Sequence, residues 1–513
     1  MKKITALILL VLVLATSIAP ARAIVGSKLD TENNNLSNQE GELQQPAGMA
    51  NSQSECTIGV HHASTATHDS PVIWKVSDAF NGDLKQAPED ICSIVRHFST
   101  ADWDTEYNFI ALTYTWDGLE PHKRIAMGLN EAGVGTGNSL VPVDDYDNNN
   151  LLVMFHVLGH YGKMSEIRNY INSLSGQSEY NPSGCFPFID NFGNAFMFEL
   201  NGSQDTYWEY DTMAPARESQ GLLGFVVRAN EFHKQDDGTD DTSITRRYLT
   251  GTENTLGIIA AGEFNEQSVA QSDSSETYRL IRQNDNPHPI SNTISRNAMV
   301  IRGAAPGEDP ALATMWALLG NPSFSIAVPT WAAVSDIPEP IGTCKMSHAL
   351  ISLFNEVASV EGKQIKAEWV QAAVQPAESH LFDMVNNRIL PRWRVAGGPP
   401  AVEEMTRVEH QMAEDAYSVV SYLAETGSFN LAPTIDFDVR QQPHFRYAFS
   451  ADADDADGNV VSYLWNFGDG TTSTEVAPMH KFPGTGVYLV SVTIADDDGV
   501  TTTSWRYLTI AED

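Results

Sequence analysis

Apolar positions along this chain fall into four regimes, and the changes between them mark its organisation. Lys2 and Lys3 lead an apolar run from Ile4 to Ala15, which ends shortly before Ala21-Arg22-Ala23. A charged head, a short apolar core and a small-x-small motif predict a secretory signal peptide over residues 1–23, because the core is too short to span a bilayer. Residues 24–55, with DTENNNLSNQEGELQQ at their centre, show no apolar period. They are expected to form a disordered leader or propeptide.

From Cys56 the texture changes. CTIGVHH, SPVIWKV, YNFIALTYTW, RIAMGLN, AFMFEL and LLGFVVRA are short segments bounded by Gly, Asp and Asn, as strands should be. Between them, LLVMFHVLGHYGKMSEIRNYINSLSG repeats its apolar residues at spacings of three and four, which predicts amphipathic helix. Strands and helices without strict alternation predict a layered α+β core over residues 56–340. Residues 341–430 read as a helical extension or linker, broken at Ala396-Gly397-Gly398-Pro399-Pro400 and capped at Gly427. Residues 431–513 alternate again, in VVSYLWNF and VYLVSVTIA, between turn clusters DADDADGN, GDGTTS, PGTG and DDDG. That spacing predicts a small all-β sandwich.

Composition narrows the function classes. At 513 residues the chain is long enough for several domains. With 31 basic against 66 acidic residues, the formal net charge is −35. Nucleic acid is excluded as a partner, since phosphate binding depends on Lys and Arg releasing counterions. No later stretch is long and apolar enough for membrane insertion, so the protein is expected to be secreted or periplasmic. Four cysteines in this length do not make a disulfide framework. Cys92, Cys185 and Cys344 are read as structural thiols, or as containing one disulfide between two of them.

The tail carries a specific signature: Trp465-Asn466-Phe467-Gly468-Asp469-Gly470, then Pro478, His480-Lys481-Phe482, Gly486, Tyr488 and Val490-Ser491-Val492. It resembles a polycystic-kidney-disease (PKD) domain. Trp465 and Phe467 should face the sandwich core, with Gly468-Asp469-Gly470 in a turn that needs positive φ. The partners this resemblance implies for the module are polysaccharide or a cell-surface protein. Asp452, Asp454, Asp455 and Asp457 are read as a solvated acidic turn, with Ca²⁺ held by their carboxylates as the alternative.

The candidate chemistry begins at Cys56. Cys56-Thr57-Ile58-Gly59-Val60 is followed by Pro71-Val72-Ile73-Trp74-Lys75-Val76-Ser77-Asp78, in which a basic residue precedes an aspartate by three places. Gly128-Leu129-Asn130-Glu131-Ala132-Gly133-Val134 leads to Asn138, and Asp190 to Glu199 forms a D-x-x-G…E pattern. Val227-Arg228-Ala229-Asn230-Glu231-Phe232 precedes Ser243-Ile244-Thr245-Arg246-Arg247-Tyr248. In this order the segments resemble the linear-amide C–N hydrolases, the superfamily of choloylglycine hydrolases, penicillin V acylases and isopenicillin-N-type acyltransferases. The resemblance covers roughly Cys56 to Ala332. It implies a four-layer αββα N-terminal-nucleophile core in which the mature chain begins with the cysteine.

A chain beginning at Cys56 would carry a thiol nucleophile and an α-amine base on one residue. The amine titrates near 7.7–8.0, so no separate histidine is required. The resemblance assigns Asp78 to orienting that amine, Lys75 or Arg247 to setting polarity at the sulfur, and Asn138 and Asn230 to the oxyanion. The expected reaction is hydrolysis of a small-molecule linear amide through an acyl-thioester, with no cofactor and no metal. An acyltransferase or dipeptidase on the same scaffold is the first alternative, separable by added amine acceptors and by dependence on a free substrate α-amine. A non-catalytic secreted or surface-binding protein is the second, separable by thiol labelling. Oligomeric state stays open between a monomer and a homo-oligomer.

Histidines are not part of this chemistry. His61 and His62 are adjacent on a strand, so they point to opposite faces, and pocket or surface roles are expected. His156 and His160 share a helix face, but Val157-Leu158-Gly159 between them lacks the glutamate of a zinc-protease helix, and structural roles follow.

Overall fold

Alternation is lost along most strands before Thr330 because both faces of them are covered. A computed structural model describes residues 56–78, 92–115, 125–141, 150–174, 182–202, 206–213, 224–230, 243–271, 280–282, 290–361, 364–366 and 368–511. The signal segment 1–23 and the leader 24–55 lie outside the described residues.

Six strands form one antiparallel sheet: β1 (Thr57–His61), β2 (Val72–Asp78), β11 (Phe225–Arg228), β12 (Ser295–Arg302), β13 (Thr314–Leu319) and β14 (Val328–Thr330), in the order β11-β1-β2-β12-β13-β14. A second sheet holds β3 (Ser93–Phe98), β4 (Phe109–Tyr114), β5 (Ile125–Asn130), β6 (Gly135–Gly137), β8 (Ser183–Ile189), β9 (Ala195–Asn201) and β10 (Thr206–Asp211). Its order is β10-β9-β8-β6-β5-β4-β3, with β7 (Ser139–Leu140) paired to β8.

The sheets stack face to face, β1 against β8 and β9, β2 against β6 and β8, and β13 against β3 and β5. Helix α1 (Asn150–His160) covers the outer face of the second sheet on β5 and β6, followed by α2 (Met164–Leu174). Gly162 separates them, so the amphipathic run expected as one helix is two. Phe109, Phe186, Phe188 and Phe198 fill the space beneath them with Val153, Met154 and Val157. On the six-stranded sheet, α3 (Ser243–Ala261) packs on β1 and β11, and α4 (Glu266–Ala270) on β12. The layers therefore run helix, sheet, sheet, helix.

The helices of residues 341–430 belong to that last layer. Helix α5 (Glu339–Gly342) touches β3, α6 (Lys345–Val357) lies on β13, and α7 (Glu368–Asp383) lies on β14. A π-helical turn (Met384–Ile389) leads into α8 (Leu390–Ala396), and α9 (Val402–Thr426) crosses both α6 and α7. Between α6 and α7 sits a small hairpin, β15 (Ser359–Glu361) and β16 (Gln364–Lys366). Leu350, Phe354, Phe382, Trp393 and Val408 share one hydrophobic cluster with Trp74, Val300 and Trp316 of the sheet. The stretch expected as an extension is thus part of the core. A disulfide between Cys92 and Cys344, 252 residues apart, joins the beginning of β3 to the beginning of α6. Cys56 and Cys185 are free and buried.

Gly427, at φ +62°, ends α9, and seven strands follow. They are β17 (Thr434–Gln442), β18 (Arg446–Asp454), β19 (Val460–Asn466), β20 (Thr472–Ser473), β21 (Met479–Lys481), β22 (Gly486–Asp496) and β23 (Thr501–Ile510). They form two sheets, β17-β18-β21 and β20-β19-β22-β23, around Phe437, Phe449, Trp465, Phe467 and Phe482. Gly468 and Gly470 have φ of +76° and +88°, as their turn requires. Asp452 and Asp454 lie along β18, while Asp455 and Asp457 occupy the turn after it. There Asp457 accepts from the Leu431 amide, and Asp497 accepts from the Asn459 amide.

The sandwich does not hang from a tether. Trp505 and Leu489 belong to the same cluster as the helices. Thr501 Oγ1 donates to Asp415 of α9 at 2.8 Å, Trp393 Nε1 donates to the Tyr507 hydroxyl at 2.5 Å, and that hydroxyl donates to Glu404. Arg388 forms a two-pronged bond to Asp436 of β17.

Helix α9 also buries Glu409, which accepts from Thr330 Oγ1 at 2.8 Å and from the Trp331 amide at 3.0 Å. Burial pushes its carboxyl up to about 8. A folded-state value above the unfolded one gives stability that is complete below about 4.5 and is lost as pH rises through about 8. Glu409→Gln keeps an acceptor for Trp331 and a donor for Thr330 without the charge. Its urea midpoint should stay level between pH 6 and 8.5 while that of the wild type falls; equal falls in both would show that Glu409 is not the group responsible.

Candidate active site

Register places the neighbours of Cys56. Thr57 pairs with Val76 and Ile58 with Lys75, so Cys56 lies opposite Ser77, with Lys75 diagonal to it on the same face. On the other side Ile58 pairs with Arg228, so two residues further along each strand the register brings Asn230 beside Cys56. Cys56 is 5% exposed. Ile58 and Lys75 point between the sheets, since a side chain added at Gly137 of β6 would approach both.

Asp78, at the end of β2, is buried and accepts from three residues. Ser295 Oγ donates to Oδ1 at 2.6 Å; Arg247 Nη1 and Asn292 Nδ2 donate to Oδ2 at 3.2 and 3.3 Å. Arg247, on α3 and 1% exposed, uses its second nitrogen to reach Asn230 Oδ1 at 3.4 Å. Asn230 Nδ2 donates to the Leu140 carbonyl at 2.5 Å. A donor on one side and an acceptor on the other fix this amide's orientation. One N–H of Asn230 is therefore committed to the backbone, and its second is what remains for an oxyanion.

Lys75 Nζ donates to Asn138 Oδ1 at 3.2 Å. A lysine has no acceptor to offer as ammonium, so the Asn138 oxygen must face it and the Asn138 amide nitrogen turns away. Burial lowers the Lys75 pKa below the ordinary lysine value, with Cys56 and Asp78 acting in the opposite sense. All six residues singled out in the sequence are thus brought to the end of β1 from five parts of the chain.

The sequence reading missed several neighbours. Asn292 and Ser295 hold Asp78, and Ser295 is its direct partner across β2 and β12. Tyr114, at the end of β4, has its phenol pushed up to about 12, first by burial and then by the charge of Cys56, so it stays a donor. Ser77 and Asn297 adjoin that hydroxyl, but Ser77 Oγ and Asn297 Oδ1 are left without a closed hydrogen bond. The signal for Asn292, Ser295 and Asn297 was the polar run Ser291 to Asn297 directly ahead of the apolar Ala298-Met299-Val300-Ile301.

Other polar residues hold the layers. Glu199 accepts from Arg228 Nε at 2.5 Å and from the Tyr210 hydroxyl at 3.2 Å between the sheets. Asn130 Nδ2 bonds the Leu158 and Tyr161 carbonyls at the end of α1, and Asp190 accepts from the Asn194 side chain and the Met164 amide. His61 corrects the pocket or surface expectation. It is fully buried, stacked on Phe264 at 4.2 Å, and accepts from Trp74 Nε1 at 2.9 Å. Burial lowers its pKa to about 3, so it stays neutral. The reason is that α3, with Phe264 just after it, covers this face of β1. His156 meets the Tyr161 hydroxyl at 3.1 Å. Among the described residues, Cys92, Cys344 and His348 come within metal-ligand reach of one another, but the two sulfurs are bonded together. No helix among the described residues is long and apolar enough to cross a membrane.

Comparison with known proteins bears on the C-terminal sandwich. Residues 430–510 match the PKD domain profile, and the sandwich is a PKD domain. The pre-pro-metalloprotease PrtV of Vibrio cholerae is 39% identical over 89 residues, which cover 17% of this chain and 10% of that protein. Collagenase ColQ1 of Bacillus cereus is 37% identical over 106 residues, covering 19% and 11%. The chain therefore spans about a tenth of the length of these relatives. The crystal structure of the PKD1 domain of Vibrio anguillarum Epp is 34% identical, covering 16% of this chain and 99% of that one, with a TM-score of 0.16.

Proposed function

We propose that this protein is an exported cysteine amidohydrolase that cleaves a linear C–N amide bond through an acyl-thioester on Cys56. The observation that carries the reading is the convergence of Lys75, Asp78, Asn138, Asn230 and Arg247 on a buried cysteine at the head of β1. Such a set has no packing rationale in an apolar intersheet space, where unpaired charge is costly. The αββα layering fits a N-terminal-nucleophile core. A long-range disulfide fits an oxidising compartment.

In the mature enzyme the Cys56 α-amine takes the thiol proton, and the thiolate attacks the amide carbonyl. Charge developing on the carbonyl oxygen is met by the free N–H groups of Asn138 and Asn230; losing one such donor typically costs about 10²–10³ in rate. The protonated α-amine then gives its proton to the leaving nitrogen as the C–N bond breaks. Water, deprotonated by the same amine, hydrolyses the thioester. Asp78, locked by Arg247, Asn292 and Ser295, orients the amine. The Tyr114 phenol supplies a further neutral donor beside the sulfur.

The test is mass spectrometry of the purified protein, intact and acid-quenched during turnover of a panel of N-acyl amides. A chain beginning at Cys56, with an acyl adduct on its first peptide, is the expected result. An active chain that retains residues before Cys56 would sink the mechanism.

A further inference from the structure

The row of side chains that begins at Cys56 continues across the sheet. Ser77 of β2 lies directly opposite Cys56, and Asn297 of β12 is paired with Ser77. Opposite residues in antiparallel strands share a face, with Cβ atoms about 4.5–5.5 Å apart. That face looks into the space between the sheets, because Asn297 Nδ2 donates to Ser93 Oγ of β3, in the second sheet, at 2.8 Å. The bond turns Asn297 Oδ1 away from Ser93. Ser77 and Asn297 are fully buried, and neither Ser77 Oγ nor Asn297 Oδ1 closes a hydrogen bond within the protein. Two unsatisfied polar atoms on neighbouring residues are costly. Tyr114 meets this pair from the end of β4; its hydroxyl adjoins both, and the residue is partly exposed.

A substrate carbonyl carbon bonded to the sulfur has three further directions to fill. Its oxygen turns to Asn230, on the β11 side of Cys56. Its nitrogen must reach the α-amine that protonates it, beyond the head of β1. The remaining bond, to the acyl chain, is left with the β2 side, where Ser77 and Asn297 stand. An amide oxygen only accepts, so a group seated on Asn297 Oδ1 must donate, and the hydroxyls of Ser77 and Tyr114 can donate to it in return. Ser77, Asn297 and Tyr114 include no carboxylate to balance a cation, and Asp78 is turned to Arg247, Asn292 and Ser295. The donor is therefore neutral.

We infer that Ser77, Asn297 and Tyr114 form an acyl subsite, which selects linear amides whose acyl group carries a neutral hydroxyl or N–H on the carbon beside the carbonyl, as 2-hydroxyacyl and 2-acylaminoacyl amides do. This rests on the reading of Cys56 as the nucleophile and names the substrate class of that site. An unsubstituted acyl chain leaves Oδ1 and Oγ buried without partners. A 2-hydroxyl donates to Asn297 Oδ1 and accepts from Ser77 or Tyr114. Sites built around a substrate hydroxyl reject the analogue lacking it by about 10⁴–10⁵.

The experiment compares kcat/KM of the purified protein on three amides of one amine, that of the fastest amide in the panel: hexanoyl, 2-hydroxyhexanoyl and 2-acetamidohexanoyl. The better of the two substituted chains should be preferred over hexanoyl by at least ~100-fold. Asn297→Leu removes the acceptor at similar size and should erase or reverse that preference. Ser77→Ala should weaken it less, since Tyr114 can still donate, and it supplies the comparison if Asn297→Leu does not fold. A wild type that takes hexanoyl as well as the substituted chains, or cleaves other amides but neither of those two, overturns the inference and leaves the amidohydrolase reading standing. So does a variant with a native circular-dichroism spectrum whose three rates fall together, the mark of a structural role. A wild type that cleaves no amide and takes no acyl adduct on Cys56 fails the functional reading itself, and the subsite with it.

Discussion

Replacing Cys56 with alanine, in a chain produced to begin at that residue, is expected to cut amide turnover by a factor on the order of 10⁶, the scale seen when a nucleophile acting within a unit is removed. The variant keeps the α-amine, Asp78 and both asparagines, so the loss isolates the sulfur. No neighbour can substitute. Cys185 is buried on β8, opposite Ser139 and Glu199, and His61 is locked behind β1. The fold should survive, because only one buried sulfur is lost and the Asp78–Arg247 pair lies behind it, untouched. kcat/KM on the best amide of the panel measures the effect. Residual turnover within tenfold of the wild type would mean that the chemistry belongs to another group.

Trp505→Ala should cost about 3–5 kcal/mol of stability, the usual range for deleting a large buried aromatic. Trp505 is 2% exposed, stands on β23 of the PKD domain, and packs into the cluster that holds α9 and the six-stranded sheet. Arg407 of α9 lies 5.1 Å from its ring centroid. Because sandwich and helices share this core, the damage should not stay in the module. Calorimetry is expected to show the whole chain melting earlier as one transition. An unchanged transition for the layered part, with only a small separate one displaced, would show the two to be independent.

What the sequence made legible follows from the range of the interactions involved. Cys56, Lys75 and Asp78 were readable because one hairpin carries them at fixed spacing. Asn292 and Ser295 were not, because they reach Asp78 only through the pairing of β2 with β12, more than 200 residues apart in the chain. Asn230 and Arg247 were found through their motif, but their bond to each other depends on where α3 lands. The amphipathic pattern of residues 341–430 announced helices with a buried face. It carried no information on what covers that face, and so β13 and β14 were not foreseen. β23 shows the same limit. Its turns and aromatic residues marked a sandwich strand, yet Thr501, Trp505 and Tyr507 on one side serve the helices while Leu508 and Ile510 on the other fill the sandwich. Both faces being buried, the hydrophobic pattern did not separate them.

The bond between Cys92 and Cys344 has a consequence for the sulfur of Cys56. Four thiols can be joined into two pairs in three ways, and each of the three consumes Cys56. Cys56 stays a thiol in the fold because it is buried at the head of β1, while the true pair joins two sulfurs 252 residues apart. Closing so large a ring restricts the unfolded chain by about 5 kcal/mol in the chain-entropy view. Burial therefore acts as a guard, keeping the Cys56 sulfur from the rival partners that full oxidation of the chain would offer it.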